Sequence, residues 1–270
     1  MTLIQAVVLG VIQGLTEFLP VSSTSHLVIT QNLFGLSGGE PILLIFDVTV
    51  HLGTLLSLLV YFRRDCFSIV SSCYPLSVKA EGGKERDMRM GCLILLATIP
   101  TGVIGLFLKK WMEVNFNSLV VTVWTLLINS IILWSTKWIR DGQKEMKSWL
   151  DAIWIGIAQG ISILPGISRS GATCATALWL KIKAEEAARF SFLIAIPAIL
   201  GATVIVIPES IGYFSNEMWP ALIVGFISAF ISGYFAIIIL FKIMLRGRFH
   251  YFAIYTFFLA IATFVFSALR

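Results

Sequence analysis

Six long apolar stretches leave this chain few ways to fold. They run over 41–62, 91–108, 118–136, 187–207, 219–241 and 251–268. A helix needs about 20 residues to cross the hydrocarbon core of a bilayer, and each stretch is of that order. All six are continuously apolar and lack a two-residue alternation, which predicts helices and not a β-barrel. Of the 270 residues, 57% are hydrophobic and 13% charged, where a soluble domain carries about 25% charged residues. A water-soluble protein of this size has too little interior to hide so much apolar surface. The sequence therefore predicts an all-α, polytopic membrane protein.

The net charge of +5 has a membrane explanation. Lys and Arg cluster in four connections, 63–89, 137–147, 181–189 and 242–248, whereas 37–40 and 208–218 carry none. By the positive-inside rule the four basic connections are predicted to be cytoplasmic, so the charge calls for no nucleic-acid partner. Lys109 and Lys110 are the one basic pair on the poor side. The run KAEGGKERD, from Lys79 to Asp87, is predicted to be a solvated loop. The opening MTLIQAVVLG has no basic segment ahead of its apolar residues, so no cleaved signal peptide is expected. Cys66, Cys73, Cys92 and Cys174 show no C-x-x-C pair and no metal-ligand spacing, which predicts free thiols that serve as packing.

The chain also repeats itself. Residues 10–25 read GVIQGLTEFLPVSSTS and residues 156–170 read GIAQGISILPGISRS. With one deletion, Gly10 aligns with Gly156, Gln13 with Gln159, Gly14 with Gly160, Pro20 with Pro165 and Ser23 with Ser168. Each copy holds a short apolar stretch, a proline, a hydroxyl-rich break, and a second stretch (27–36 and 172–180) too short to span a membrane. Such segments are predicted to be re-entrant helical hairpins, with irregular backbone only where protein surrounds it. One hairpin plus three spans is an odd number of crossings. Repeat two, about 149–270, is thus expected to have inverted topology relative to repeat one, about 1–148. The prediction is a single membrane domain of six transmembrane helices plus two hairpins, whose tips meet near the midplane as in some transporters.

The two breaks hold the residues able to do chemistry. Glu17 to His26 supply a carboxylate, four hydroxyls and an imidazole within ten residues. In the second break Arg169 stands between Ser168 and Ser170, with Gly166 and Gly171 on either side. A charge near the bilayer centre costs at least about 2.5–3.5 kcal/mol, so Glu17 and Arg169 are expected either to neutralise each other or to hold a ligand. Several features favour an anionic ligand. The Arg fork matches phosphate oxygens, glycines let backbone N–H groups approach closely, and the helix that follows each break points its N-terminus at the site. His26 can give or take a proton near neutral pH. Asp47 and His51 share a helix face and are expected either to satisfy each other or to back the site. His250, beside Arg246, Arg248, Tyr251 and Tyr255, is expected to anchor at the lipid headgroups, as are Trp111, Trp124, Trp134, Trp138 and Trp219.

These breaks resemble the motifs of the undecaprenyl-pyrophosphate phosphatase family, also called bacitracin-resistance proteins. The family motifs run roughly (E/Q)-x-x-x-E-F-L-P-V-S-S-T-G-H and P-G-x-S-R-S-G-A-T. This sequence has Gln13, then Glu17-Phe-Leu-Pro-Val-Ser-Ser-Thr24 and His26, and later Pro165-Gly-Ile-Ser-Arg-Ser-Gly-Ala-Thr173. Asp47 to Thr54 (DVTVHLGT) and Phe190 to Ala202 (FSFLIAIPAILGA) are similar to family segments too. Gln13 departs from the Glu of many members, and Ser25 replaces the usual Gly.

The resemblance implies a hydrolase acting on a phosphoanhydride. It would convert undecaprenyl pyrophosphate to undecaprenyl phosphate and inorganic phosphate, recycling the lipid carrier of peptidoglycan synthesis and conferring resistance to bacitracin. The setting implied is the bacterial cytoplasmic (inner) membrane, with the site toward the outer face and Mg²⁺ or Ca²⁺ as cofactor. By position, Glu17, Ser23, His26 and Arg169 would be catalytic. Ser22, Thr24, Ser168, Arg169, Ser170 and Thr173 would bind substrate, and Glu17 with Gln13 would bind the metal. Ser23 would be the nucleophile or a phosphate ligand, with a phosphoserine intermediate and direct attack by water both open. The expected partners are the polyprenyl pyrophosphate, membrane lipids and a second copy in a homodimer. The rival reading is a transporter or flippase of polyprenyl phosphate, because inverted repeats around a polar midplane site also suit alternating access.

Overall fold

The computed structural model describes residues 1–36, 41–73, 81–115, 118–139, 142–210, 214 and 216–269, and among them it is all-α. Among the described residues eleven α-helices follow one another: α1 (Leu3–Phe18), α2 (Ser23–Leu33), α3 (Pro41–Tyr61), α4 (Arg63–Ser72), α5 (Glu81–Asn115), α6 (Leu119–Ser135), α7 (Trp149–Ile161), α8 (Arg169–Trp179), α9 (Ala184–Ser210), α10 (Trp219–Leu245) and α11 (Tyr251–Ala268). Six of them, α3, α5, α6, α9, α10 and α11, are long and apolar enough to cross a membrane. These are the six expected spans.

One boundary differs from the sequence reading. Residues 81–87, expected in a solvated loop, form the first turns of α5, which extends past the apolar core at both ends. Glu, Lys and Arg favour helix, and Arg86 gains a partner in Glu186 at 3.3 Å. Lys79 and Ala80, like the connection 37–40, lie outside the described residues.

Local signals fix the two hairpins. Thr2 caps α1 in a reciprocal box with Gln5. Pro20 ends the helix, holding Leu19 extended, as residues before proline prefer. Ser148 caps α7, and Ser168 caps α8 by accepting the Gly171 N–H at 3.1 Å. At the second tip Gly166 has φ +104°, and a Cβ there would strike Thr125. No other residue fits both the backbone and the space.

The basic connections gather at one end of the bundle. Asp65 at the start of α4 pairs with Arg189 on α9, and Arg86 on α5 pairs with Glu186 on α9. Lys144 exchanges backbone bonds with Lys181 and Lys183 at 3.1 and 3.0 Å. His250 packs its ring 6.2 Å from Trp134, over which Lys137 sits at 4.6 Å.

Close helix contacts give the directions. A Cβ on Gly10 would meet Gly225 and Ser228, and one on Gly14 would meet Ala229, Ser232 and Gly233. Helices α1 and α10 therefore run side by side in the same direction. Gly156 lies against Ala97 and Pro100, and Gly160 against Ile104, so α7 and α5 are likewise parallel. Since α5 begins at the basic end and α10 finishes there, α1 and α7 enter the bundle from opposite ends. Buried Phe18, Phe62 and Phe192 form an aromatic cluster with half-buried Phe241 beside the first tip, with Phe18 edge-on to Phe192 at 5.5 Å. Edge-on pairs add about 0.5–1.5 kcal/mol beyond burial, here holding the end of α1 just after Glu17.

Candidate active site

Helix α1 carries Gln13 and Glu17 one turn apart, both buried. Glu17 Oε2 accepts from Gln13 Nε2 at 3.0 Å and from Ser23 Oγ at 2.7 Å. Its other oxygen accepts from Arg169 Nη2 at 2.6 Å, an ion pair whose side chains are 14% and 7% exposed. His51 turns Nε2 toward the same carboxylate at 3.7 Å. The two tips, about 150 residues apart in sequence, thus converge on one carboxylate.

A second residue pins them together. Asn129, buried on α6, accepts the Ser168 N–H at 3.0 Å and donates to the Pro20 carbonyl at 3.2 Å. Ser168 Oγ reaches Leu19 O at 3.5 Å and lies 3.1 Å from Ser170 Oγ. Thr125, one turn before Asn129, hydrogen-bonds the Pro165 carbonyl. With these bonds α6 serves as the spine of the site.

The turn into α2 is strained at one residue. Ser22 has φ +68°, an uncommon conformation outside glycine. Ser25, which departs from the family glycine, stands 3.1 Å from Ser22 Oγ and steadies that turn. The Ser22 carbonyl in turn accepts from His26 Nδ1 at 2.7 Å. A carbonyl can only accept, so Nδ1 carries the proton and the neutral ring presents Nε2 as an acceptor. Nε2 receives the Tyr255 hydroxyl at 2.7 Å, with the two rings parallel within 2°.

The expected site residues therefore separate into groups. Gln13, Glu17, Ser23, Arg169, Ser168 and Ser170 come together. Ser22 shapes the turn, and Thr24 lies half-buried in the first turn of α2. His26 is engaged by α11. Thr173 stands apart, its hydroxyl between the Arg169 carbonyl (2.8 Å) and Ser191 Oγ (2.5 Å) on α9. Asp47 and His51 do not satisfy each other through their side chains. His51 Nδ1 bonds the Asp47 carbonyl, while the Asp47 carboxylate takes Gln31 Nε2 at 2.8 Å. Asn129 and Tyr255 were not expected in the site. The sequence signal for Asn129 is an amide alone in an apolar span, whereas Tyr255 reads from the sequence as one of the interfacial aromatics.

Two buried polar atoms here have no hydrogen-bond partner among the described residues. They are Arg169 Nη1 and Gln13 Oε1, one donor and one acceptor. Leaving either unsatisfied costs about 1–3 kcal/mol, more for the charged group.

The family model described as Bacitracin resistance protein BacA matches residues 6–262. This chain belongs to that family. Proteins named undecaprenyl-diphosphatase are similar over the full length. That of Alkaliphilus metalliredigens is 39% identical with all of both chains covered. That of Desulforapulum autotrophicum is 42% identical over 94% of this chain and 95% of its own. That of Desulfosudis oleivorans is 43% identical over 95% of each.

Proposed function

We propose that this BacA-family chain hydrolyses undecaprenyl diphosphate to undecaprenyl phosphate and inorganic phosphate at the Glu17–Arg169 site. The observation that carries the site assignment is Arg169 Nη1. A residue that merely neutralised Glu17 would have no reason to bury its second terminal nitrogen unpaired. A phosphate oxygen opposite that nitrogen satisfies it with a charge-assisted bond. Ser168 and Ser170 add hydroxyls beside the clamp. Ser23 donates its proton to Glu17, leaving its lone pairs for phosphorus or for a phosphate-ordered water. The rival transporter reading is not favoured, since a carrier of one phosphate has no use for a serine poised on a carboxylate.

A divalent cation fits the donor set. Glu17 uses three of its roughly four lone-pair sites, and Gln13 Oε1 is an unpaired hard oxygen beside it. Oxygen donors of this kind suit Mg²⁺ or Ca²⁺, which Glu17 and Gln13 would hold. When bound, the cation neutralises charge on the phosphate oxygens. The protein's own groups orient the headgroup and move protons.

We further propose that the halves 1–148 and 149–270 are inverted repeats in the cytoplasmic membrane, with the site toward the outer face. The opposite entries of α1 and α7 and the gathering of basic connections at one end support this. The activity test is phosphate release from farnesyl pyrophosphate by purified protein in detergent, with and without chelator. We expect release that chelator suppresses. No release under any divalent cation would remove the phosphatase reading, while release indifferent to chelator would remove the metal.

A further inference from the structure

His26 has no free nitrogen. Nδ1 donates to the Ser22 carbonyl and Nε2 accepts the Tyr255 hydroxyl, each at 2.7 Å. For the ring to take a proton from a reacting group, one of those bonds must break or must pass the proton on. A carbonyl has no proton to pass. A phenol does, and it can accept one on the same oxygen as it gives one up. Among the described residues no donor is bonded to Tyr255 Oη, so its acceptor side is open. The parallel stacking of the two rings, 5.7 Å apart, keeps the O–H aligned on Nε2.

We infer that Tyr255 is a catalytic residue of the site, a proton relay between the attacking water and His26. The inference rests on the phosphatase reading above and adds to it a residue from α11. Hydrolysis consumes one water by either route, through phosphoserine or directly. As the water oxygen bonds to phosphorus, the bond from phosphorus to its leaving oxygen breaks, and that oxygen departs with the electron pair. The water proton moves to Tyr255 Oη while the Tyr255 proton moves to His26 Nε2. Tyr255 ends neutral, and His26 ends as the cation, donating from Nε2 back to the phenol. The first-formed imidazolium then loses its proton to solvent, or to the product phosphate, along the reverse path.

The arrangement also explains why Tyr255, 49% exposed, differs from a headgroup anchor. An anchoring tyrosine directs its hydroxyl to the interface. This one gives it to the side chain of His26, 229 positions earlier.

The test compares parent protein and Tyr255→Phe with farnesyl pyrophosphate in detergent, measuring kcat, KM and the proton inventory in H₂O–D₂O mixtures. General acid–base groups contribute about 10²–10⁴-fold, and a water can partly replace a phenol. We expect Tyr255→Phe to lower kcat about ten- to a hundredfold with little change in KM. The inventory should change from curved, with two protons in flight, to linear. Parental kcat with an unchanged inventory would overturn the relay while leaving the phosphatase reading intact. Absence of phosphate release by the parent would overturn both. Should Tyr255→Phe lose thermal stability, 3-fluorotyrosine at 255 keeps ring and hydroxyl but makes the phenol more acidic. A relay then changes kcat at parental stability, and an unchanged kcat overturns it.

Discussion

Arg169 is where the ion-pair and phosphate-clamp readings part most cleanly. If neutralising Glu17 were its whole function, Arg169→Lys would keep the charge and the activity. Arg169 spends Nη2 on Glu17 and holds Nη1 unpaired, and a Lys has only one nitrogen to do both jobs. A charge-assisted hydrogen bond is worth about 1.5–3 kcal/mol, and each 1.36 kcal/mol of barrier is about tenfold in rate. Arg169→Lys should therefore slow phosphate release on the order of ten- to a hundredfold, with thermal stability in detergent little changed. Near-parental turnover would return Arg169 to the role of counter-ion. Loss of both activity and stability would do the same, since it would mean that the pair holds the fold.

The helices hold this site through a few backbone contacts, and those contacts have consequences of their own. Gly14 lies where α1 and α10 touch, one turn before Glu17. A Cβ there would be 2.5 Å from the Ala229 carbonyl and 2.7 Å from the Gly233 N–H, and backbone cannot move aside as a side-chain end can. Overpacking of this kind costs about 1–3 kcal/mol. Gly14→Ala should lower the thermal midpoint and, by shifting α1, reduce turnover as well. Gly102→Ala is the control, because nothing lies within 4 Å of its Cβ position. Equal midpoints for the two variants would mean that α1 and α10 tolerate separation. The spans were legible in the sequence because bilayer thickness imposes a length, and the tips because polar residues inside apolar sequence are costly. Helix α5 was cut short because its first turns are polar, held by an ion pair to α9 that hydropathy does not register. Asn129 and Tyr255 stayed hidden for a different reason. Their partners lie 109 and 229 positions away, and contacts at that separation leave no periodic trace.

At the scale of the whole molecule the question is which way each half faces. Helix α1 runs with α10, α7 runs with α5, and those two partners point in opposite directions. The end where Arg86, Lys144, Arg189 and His250 gather should be cytoplasmic, since Lys- and Arg-rich connections are retained on that side. On the inverted-repeat proposal both hairpins would reach the middle of the bilayer from opposite faces and bring Glu17 to Arg169, which it meets at 2.6 Å. The free thiols allow a direct test. In a background lacking Cys66, Cys92 and Cys174, exposed Cys73 at the end of α4 reports the basic end. In a background lacking all four native cysteines, Thr2→Cys, Lys147→Cys and Asn216→Cys report the starts of α1, α7 and α10. Among the described residues Lys147 pairs with Glu145, the two side chains 58% and 42% exposed, and such surface pairs contribute little, so the substitution should leave the fold intact. A membrane-impermeant maleimide should label positions 2 and 216 in intact cells. Positions 73 and 147 should react only after permeabilisation. Labelling of 2 and 147 from the same side would place both hairpins on one face and end the inverted-repeat account, whatever the enzyme assay had found.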